Sequence, residues 1–149
     1  MNTKHQLYHK CEDYIDNRLD TIQNIISDIE QGFRSETKSS AGDKHETGRA
    51  MLQLEREKVG QQLAEAQKLQ ELLKKINTKN QSQIVVLGSV VYTTQFNYFI
   101  AISAGKIKIG KEQFYAISLS TPIAKLLLSK EVGNCIEFRT TKFSILEIL

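Results

Sequence analysis

Asp43 and Glu46, two carboxylates three residues apart, are the residues of this chain whose type and spacing best suit chemistry. Mg²⁺ prefers carboxylate oxygens and retains several water ligands when a protein binds it. Two acids on one short segment hold Mg²⁺ poorly by themselves, but they could complete a site that already has acidic ligands. The pair is therefore a candidate for part of a Mg²⁺ site.

The same two acids also have a purely structural interpretation. They lie beside Ser39, Ser40 and Gly42, where a helix is expected to start. Acidic side chains in the first turn of a helix cap free N–H groups and interact favourably with the helix dipole. Residue types alone favour this capping role over metal ligation.

Residues 39–46 separate two long runs of helix-forming sequence. Ser competes for backbone hydrogen bonds and Gly is entropically costly in a helix, so the segment is expected to break the helix and let the two runs fold back. Apolar residues recur at alternating spacings of four and three in the first run, at Ile15, Leu19, Ile22, Ile26, Ile29 and Phe33. The second run supplies Leu52, Val59, Leu63, Ala66, Leu73 and Ile76. The pattern predicts helices over about 5–34 and 47–76, paired as an antiparallel coiled-coil hairpin with an acidic tip at 39–46.

The composition changes between residues 77 and 83, where helix formers give way to short runs of Ile, Val, Tyr, Phe, Thr and Ser. This change predicts a boundary between a hairpin, residues 1–80, and a β-rich domain, residues 81–149. Six strands are predicted, over residues 84–87, 89–94, 98–102, 115–119, 135–139 and 142–149. Pro122 behind Thr121 predicts one short helix over 121–128. The expected fold class is α+β.

Charge and cysteine content limit the possible partners and compartment. Residues 1–80 contain 13 Lys and Arg against 13 Asp and Glu, and residues 81–149 contain 7 against 4. This excess is too small to indicate a nucleic-acid binder, so no independent DNA binding is expected, but it suits docking on an acidic protein surface. Cys11 and Cys135 have no metal-ligand spacing and are expected to be buried, reduced thiols. Without a signal peptide or membrane anchor, a cytoplasmic protein with no membrane partner is expected.

Three stretches of the C-terminal half resemble the Gre transcript-cleavage factors of bacterial RNA polymerase. They are residues 86–91 (VLGSVV), 116–127 (AISLSTPIAKLL) and 130–134 (KEVGN), followed by two strand-like segments in the family's order. The resemblance covers residues 84–149 and implies an FKBP-like domain. At the tip, residues 42–46 (GDKHE) are similar to the family's tip, where an Asp and a Glu three residues later form the functional pair.

The resemblance implies a role for each of these segments. The hairpin would enter the polymerase's secondary channel, near the RNA 3′ end, and Asp43 and Glu46 would complete the site of a shared Mg²⁺ that promotes cleavage of backtracked RNA. Such a factor stimulates the polymerase's own activity and is not itself an enzyme. Lys44 and Arg49 at the tip, and Ser120 and Pro122 in the C-terminal segment, would contact the partner.

Three alternatives remain open. Residues 47–50 (TGRA) differ from the family's Asn-Ala-Glu-Tyr, which fits a regulator that occupies the channel without stimulating cleavage. A non-catalytic coiled-coil interaction module would need the acids only as caps. Peptidyl-prolyl isomerase activity is suggested by fold analogy alone, and a fold does not fix a function.

Overall fold

The computed structural model describes residues 2–38 and 42–149, with side chains outside 36–46. Two long helices, α1 (Thr3–Lys38) and α2 (Gly42–Lys74), precede the strands β1 (Val90–Thr93), β2 (Tyr98–Ala101), β3 (Gly105–Ile109) and β4 (Glu112–Ser118). The short helix α3 (Pro122–Leu127) and strands β5 (Cys135–Phe138) and β6 (Thr141–Ile148) follow. The chain forms two compact units, one of Ile15–Leu69 and the other of Met1–Tyr14 with Gln70–Leu149. The α+β class is confirmed, whereas the predicted boundary at residue 80 stays a prediction.

In the unit Ile15–Leu69 the two helices pair through one apolar seam. Ile22, Ile26, Ile29, Val59 and Ala66 are buried there, and Leu19, Phe33, Leu52 and Leu63 pack against them. Arg18 of α1 lies 3.9 Å from Glu65 of α2, whereas Gly32 faces Leu52. Partners on α2 therefore come earlier in the chain as those on α1 come later, which confirms the antiparallel pairing.

The helix ends differ from the prediction. The second helix begins at Gly42, so residues 42–46, expected to belong to the polar break, are helical. The penalty for Gly in a helix, about 1 kcal/mol, applies to the interior, and here Gly42 is the first residue. Leu73 and Ile76 are buried as expected, but they belong to the other unit.

The strands form one sheet in the order β3-β4-β2-β1-β6-β5. Only β2 and β4 pair in parallel; the other strand pairs are antiparallel. Tyr92 pairs with Glu147 and Thr93 with Ile145, so Leu146 is an extra residue in β6. This bulge keeps both Ile145 and Ile148 buried while Leu146 is exposed. The described residues include no helix that is both long and apolar enough to cross a membrane.

The two faces of the sheet bury different residues. We call the α3 face the one carrying Val91, Tyr98 and Ile100, because these side chains share a core with Ala124 and Leu127 of α3. The opposite face carries Val90, Phe99 and Phe114, all fully buried.

The ends of the two long helices belong to the same unit as the sheet. Leu7 and Cys11 of α1 are fully buried there, and the Lys4 ammonium donates to the Leu149 carbonyl at 3.5 Å. Ile76, just after α2, lies against Gly88. The sheet-containing unit thus includes the first residues of α1 and the last residues of α2.

Two strand predictions were wrong. Residues 84–87 form only an isolated bridge, Ile84 to Glu131, because Val85 bonds to the backbone of Ser129 and Lys130 and Val86 N–H donates to the Ser89 hydroxyl. Strand β3 was not predicted, although its alternation of Lys and Ile fits an edge strand with one buried face. The helix predicted behind Thr121 is confirmed as α3.

Candidate functional site

The backbone places Asp43 and Glu46 near the start of α2, which begins at Gly42. Positions three apart in a helix lie on the same face, so the helical backbone gives these two positions a common side. Their side chains, and that of Lys44, lie outside the described part of the structure. The helix start also suits the capping interpretation, since the positive end of the helix dipole is there. The fold alone does not separate the two roles.

Arg49, one turn after Glu46, is the predicted contact residue near the tip whose side chain is described. Its guanidinium carbon lies 5.6 Å from the centre of the Phe33 ring. A cation over an aromatic face contributes about 0.5–1 kcal/mol at exposed sites. Arg49 therefore helps to join α1 to α2 near the start of α2, although the residue as a whole is exposed.

Ser120 and Pro122 lie together in the turn that starts α3. The Thr121 hydroxyl accepts a hydrogen bond from Ala124 N–H at 3.3 Å and donates to the Ser118 carbonyl at 2.8 Å, which caps the helix. Pro122 occupies the first helical turn, and the Ser120 and Ser118 hydroxyls are 2.7 Å apart. The cap fixes both predicted contact residues on the surface, where both are exposed.

An apolar surface beside this turn was missed in the sequence. Leu126 and Leu128 are each 39% exposed, whereas Ala124 and Leu127 of the same segment are fully buried. The signal was available: in the run of three leucines at 126–128 a short helix can bury only one side. Together with Ser120 and Pro122, these leucines form what we call the α3 surface. It lies in a different compact unit from Arg49.

The two cysteines and the histidines of α1 lie outside this site. Cys11 is fully buried, and burial raises the pKa of its thiol to about 12. The prediction for Cys135 was wrong, because it begins edge strand β5 with its side chain exposed. His5 Nδ1 lies 2.8 Å from the Thr78 hydroxyl, and His9 Nδ1 lies 2.7 Å from Glu12. No cluster of metal-ligating side chains occurs among the described residues.

A buried lysine joins three parts of the sheet-containing unit. Lys4 is 8% exposed, and its ammonium donates to the carbonyl of Asn80 at 2.6 Å and to that of Leu149 at 3.5 Å. Burial lowers the pKa of Lys4. The lysine lines a pocket of about 180 Å³ together with Thr78 and Lys79. Its hydrogen bonds to backbone carbonyls give it a structural role at the start of α1.

Comparison of the chain with protein-family models and with curated proteins gives no match.

Proposed function

We propose that this chain is a Gre-like regulator of bacterial RNA polymerase, which docks through its β-rich domain and inserts the predicted hairpin tip, residues 39–46, into the secondary channel. There Asp43 and Glu46 complete the coordination of a shared Mg²⁺ and promote cleavage of backtracked RNA. In this proposal the helices form a coiled coil, the sheet domain is FKBP-like, and the protein acts in the cytoplasm. The polymerase supplies the other metal ligands and the catalytic turnover.

The observation that carries the proposal is the order of elements around the two acids at the start of α2. Two helices pair antiparallel through a seam of Ile and Val, and Asp43 and Glu46 follow directly where the second helix starts. A sheet domain with one short capped helix comes next in the chain. The resemblance implies the same order of elements.

The α3 surface supports the docking half of the proposal. Ser120 and Pro122 are exposed at the cap of α3, and Leu126 and Leu128 add exposed apolar area within the same short segment. Exposed apolar residues grouped beside polar ones are typical of protein-binding surfaces. Because the excess of Lys and Arg also lies in residues 81–149, an acidic protein surface is the expected partner.

The second candidate is a regulator that occupies the channel without stimulating cleavage. Gly48 and Ala50 follow the acids in this chain, and Arg49 is held on Phe33 by a cation–π contact. A helix pair joined by this contact would still fill the channel. The two candidates differ in the effect of the protein on a stalled elongation complex.

The test substitutes both acids without changing their size. Asp43→Asn with Glu46→Gln removes the charge that Mg²⁺ needs, and Asn is still a good helix cap. Binding to purified bacterial RNA polymerase should be retained, while cleavage of backtracked RNA should fall at least about tenfold, which corresponds to about 1.4 kcal/mol of transition-state stabilisation. Added Mg²⁺ should restore part of the activity.

The matched control is Asp28→Asn with Glu30→Gln, which removes the same charge from exposed positions of α1. It should cleave like the parent protein. A tip variant as active as the parent would refute metal completion and favour the capping role. A parent protein that binds polymerase but inhibits or ignores cleavage would instead identify the channel-occupying regulator.

A further inference from the structure

The edge of the sheet formed by β3 carries two lysines on the α3 face. In an antiparallel pair, directly opposed residues project to the same face, and Lys106 is opposite Tyr115 while Lys108 is opposite Gln113. The alternate residues Ile107 and Phe114 are buried on the other face. Both lysines are exposed. The outer part of the α3 face is therefore a cationic edge.

The acid nearest in sequence does not neutralise this edge. Glu112 pairs with Ile109, so it projects to the opposite face. There it adds to burial in raising the pKa of Tyr92. Among the described residues, neither Lys106 nor Lys108 forms an ion pair with a carboxylate. The two ammonium charges are thus available to an anionic ligand.

An exposed aromatic ring packs on Tyr115, the residue opposite Lys106. Phe96 is 46% exposed and meets the Tyr115 ring edge to face, with centroids 5.5 Å apart. The Thr93 hydroxyl donates to the Phe96 carbonyl, and Tyr115 N–H donates to the Asn97 carbonyl at 2.8 Å. The first bond ties the loop between β1 and β2 to β1, and the second ties it to β4. The ring can accept a stacking partner at little cost in conformational entropy.

We propose that Lys106, Lys108, Tyr115 and Phe96 form a binding surface for single-stranded nucleic acid. The lysines contact successive phosphates, and an unpaired base stacks on the exposed part of Phe96. A duplex would satisfy the lysines but offers no free base face to the ring, and an acidic protein would leave the ring without a matched contact. Cationic grooves combined with exposed aromatic rings are the usual device for single strands.

This inference differs from the expectation drawn from net charge and does not rest on the proposed function. Net charge averages over the chain, whereas the register of β3 and β4 places Lys106 and Lys108 on one face and Glu112 on the other. A small excess of positive charge is thus concentrated where an aromatic ring is also exposed.

The experiment measures binding of the full chain to a fluorescein-labelled oligouridylate of about 12 nucleotides, a length within the usual site size. Fluorescence anisotropy is followed between about 50 and 200 mM salt, because phosphate contacts make affinity salt-dependent. Lys106→Gln with Lys108→Gln should weaken binding at least about tenfold at the lowest salt and should reduce the slope of log K against log salt by about 1.4. Lys58→Gln with Lys68→Gln, an equal loss of charge at exposed positions of α2, should have little effect.

The ring is tested separately. Phe96→Ala should weaken binding at least about fivefold without changing the salt slope, since stacking involves no counterions. Phe96→Leu keeps apolar volume and should show the same loss, which covers the case in which the Ala variant is less well folded. Absence of RNA binding by the parent would overturn the proposal. So would binding as tight as the parent's by the Lys106→Gln, Lys108→Gln variant or by the Phe96 variants. Equal binding of a polyglutamate peptide and of the oligonucleotide would overturn it in favour of an acidic protein partner.

Discussion

Two glycines with the same φ provide a direct test of how Ile76, just after α2, packs. Gly88 and Gly133 both have φ of +92°, and each donates its N–H to a sheet carbonyl, that of Ile100 at 2.6 Å and that of Ile145 at 2.8 Å. A β-carbon on Gly133 would meet nothing within 4 Å, whereas one on Gly88 would lie 2.9 Å from the Ile76 γ2 carbon. Substitution by Ala therefore separates backbone strain from steric conflict.

The expected magnitudes follow from these surroundings. Left-handed φ costs Ala about 1–2 kcal/mol, and the lower entropy of the unfolded chain returns about 0.4–1 kcal/mol. Gly133→Ala should therefore reduce the free energy of unfolding by about 0.5–1.5 kcal/mol. Gly88→Ala adds the cost of overpacking, about 1–3 kcal/mol, and should lose about 2–4 kcal/mol in total.

Urea denaturation of the single and double variants measures the free energy of the steric conflict between Ile76 and a β-carbon at position 88. Ile76 is 7% exposed, so Ile76→Ala alone should cost about 2–5 kcal/mol. In that background Gly88→Ala should cost no more than Gly133→Ala, which gives a coupling energy of about 1–3 kcal/mol. If Gly88→Ala costs the same with and without Ile76, the residue just after α2 does not pack on the turn before β1, which contradicts the contact between Ile76 and Gly88.

Three further predictions concern the helix pair and the thiols. Ile26→Asp should melt the pairing of α1 with α2, because it puts a charge in a seam where Ile26 is only 5% exposed. The control is Ile25→Asp, at a position that is 40% exposed, which should retain the helical circular dichroism of the parent. One thiol, Cys135, should react rapidly with Ellman's reagent near neutral pH, and Cys11 should react only after unfolding; rapid loss of two thiols from the folded chain would contradict the burial of Cys11. Burial raises the pKa of Cys11 from 9.0 to about 12, so the unfolded state loses this proton first and stability should fall as pH rises above about 9, by up to about 1.4 kcal/mol per pH unit; Cys11→Ala should have a shallower dependence in the same denaturation series.

The helical half was predictable because its apolar spacing is long and regular. The alternation of four and three from Ile15 to Phe33 identifies one face of α1, and that face is buried in the seam. The end of the break was not predictable in the same way, since Gly42 is tolerated as a first helical residue. Helix ends depend on caps and neighbouring contacts, which the periodicity of the apolar residues does not encode.

The sheet was harder to predict because its short segments depend on partners far away in the chain. Residues 84–87 are rich in the β-branched residues that strands favour, yet Val85 hydrogen-bonds to the turn after α3. The segment 105–109 has alternate lysines and only two isoleucines, so its hydrophobic signal is weak, but β4 provides a complete ladder of partners. Strand formation at such sites is decided by tertiary contacts.

The same difference between local patterns and tertiary contacts applies to the candidate residues. Ser120 and Pro122 were found because a cap has a local signature, and their exposure follows from the cap geometry. Phe96 could not be found, since an aromatic residue between two strands is more often part of the core, and only the ring contact with Tyr115 fixes its exposed position. Glu112 would have been counted against the lysines of β3 in any sum of charges, but strand register sends it to the opposite face. Residue types therefore indicate which chemistry a segment could support, while register and burial decide which of those groups can meet one ligand.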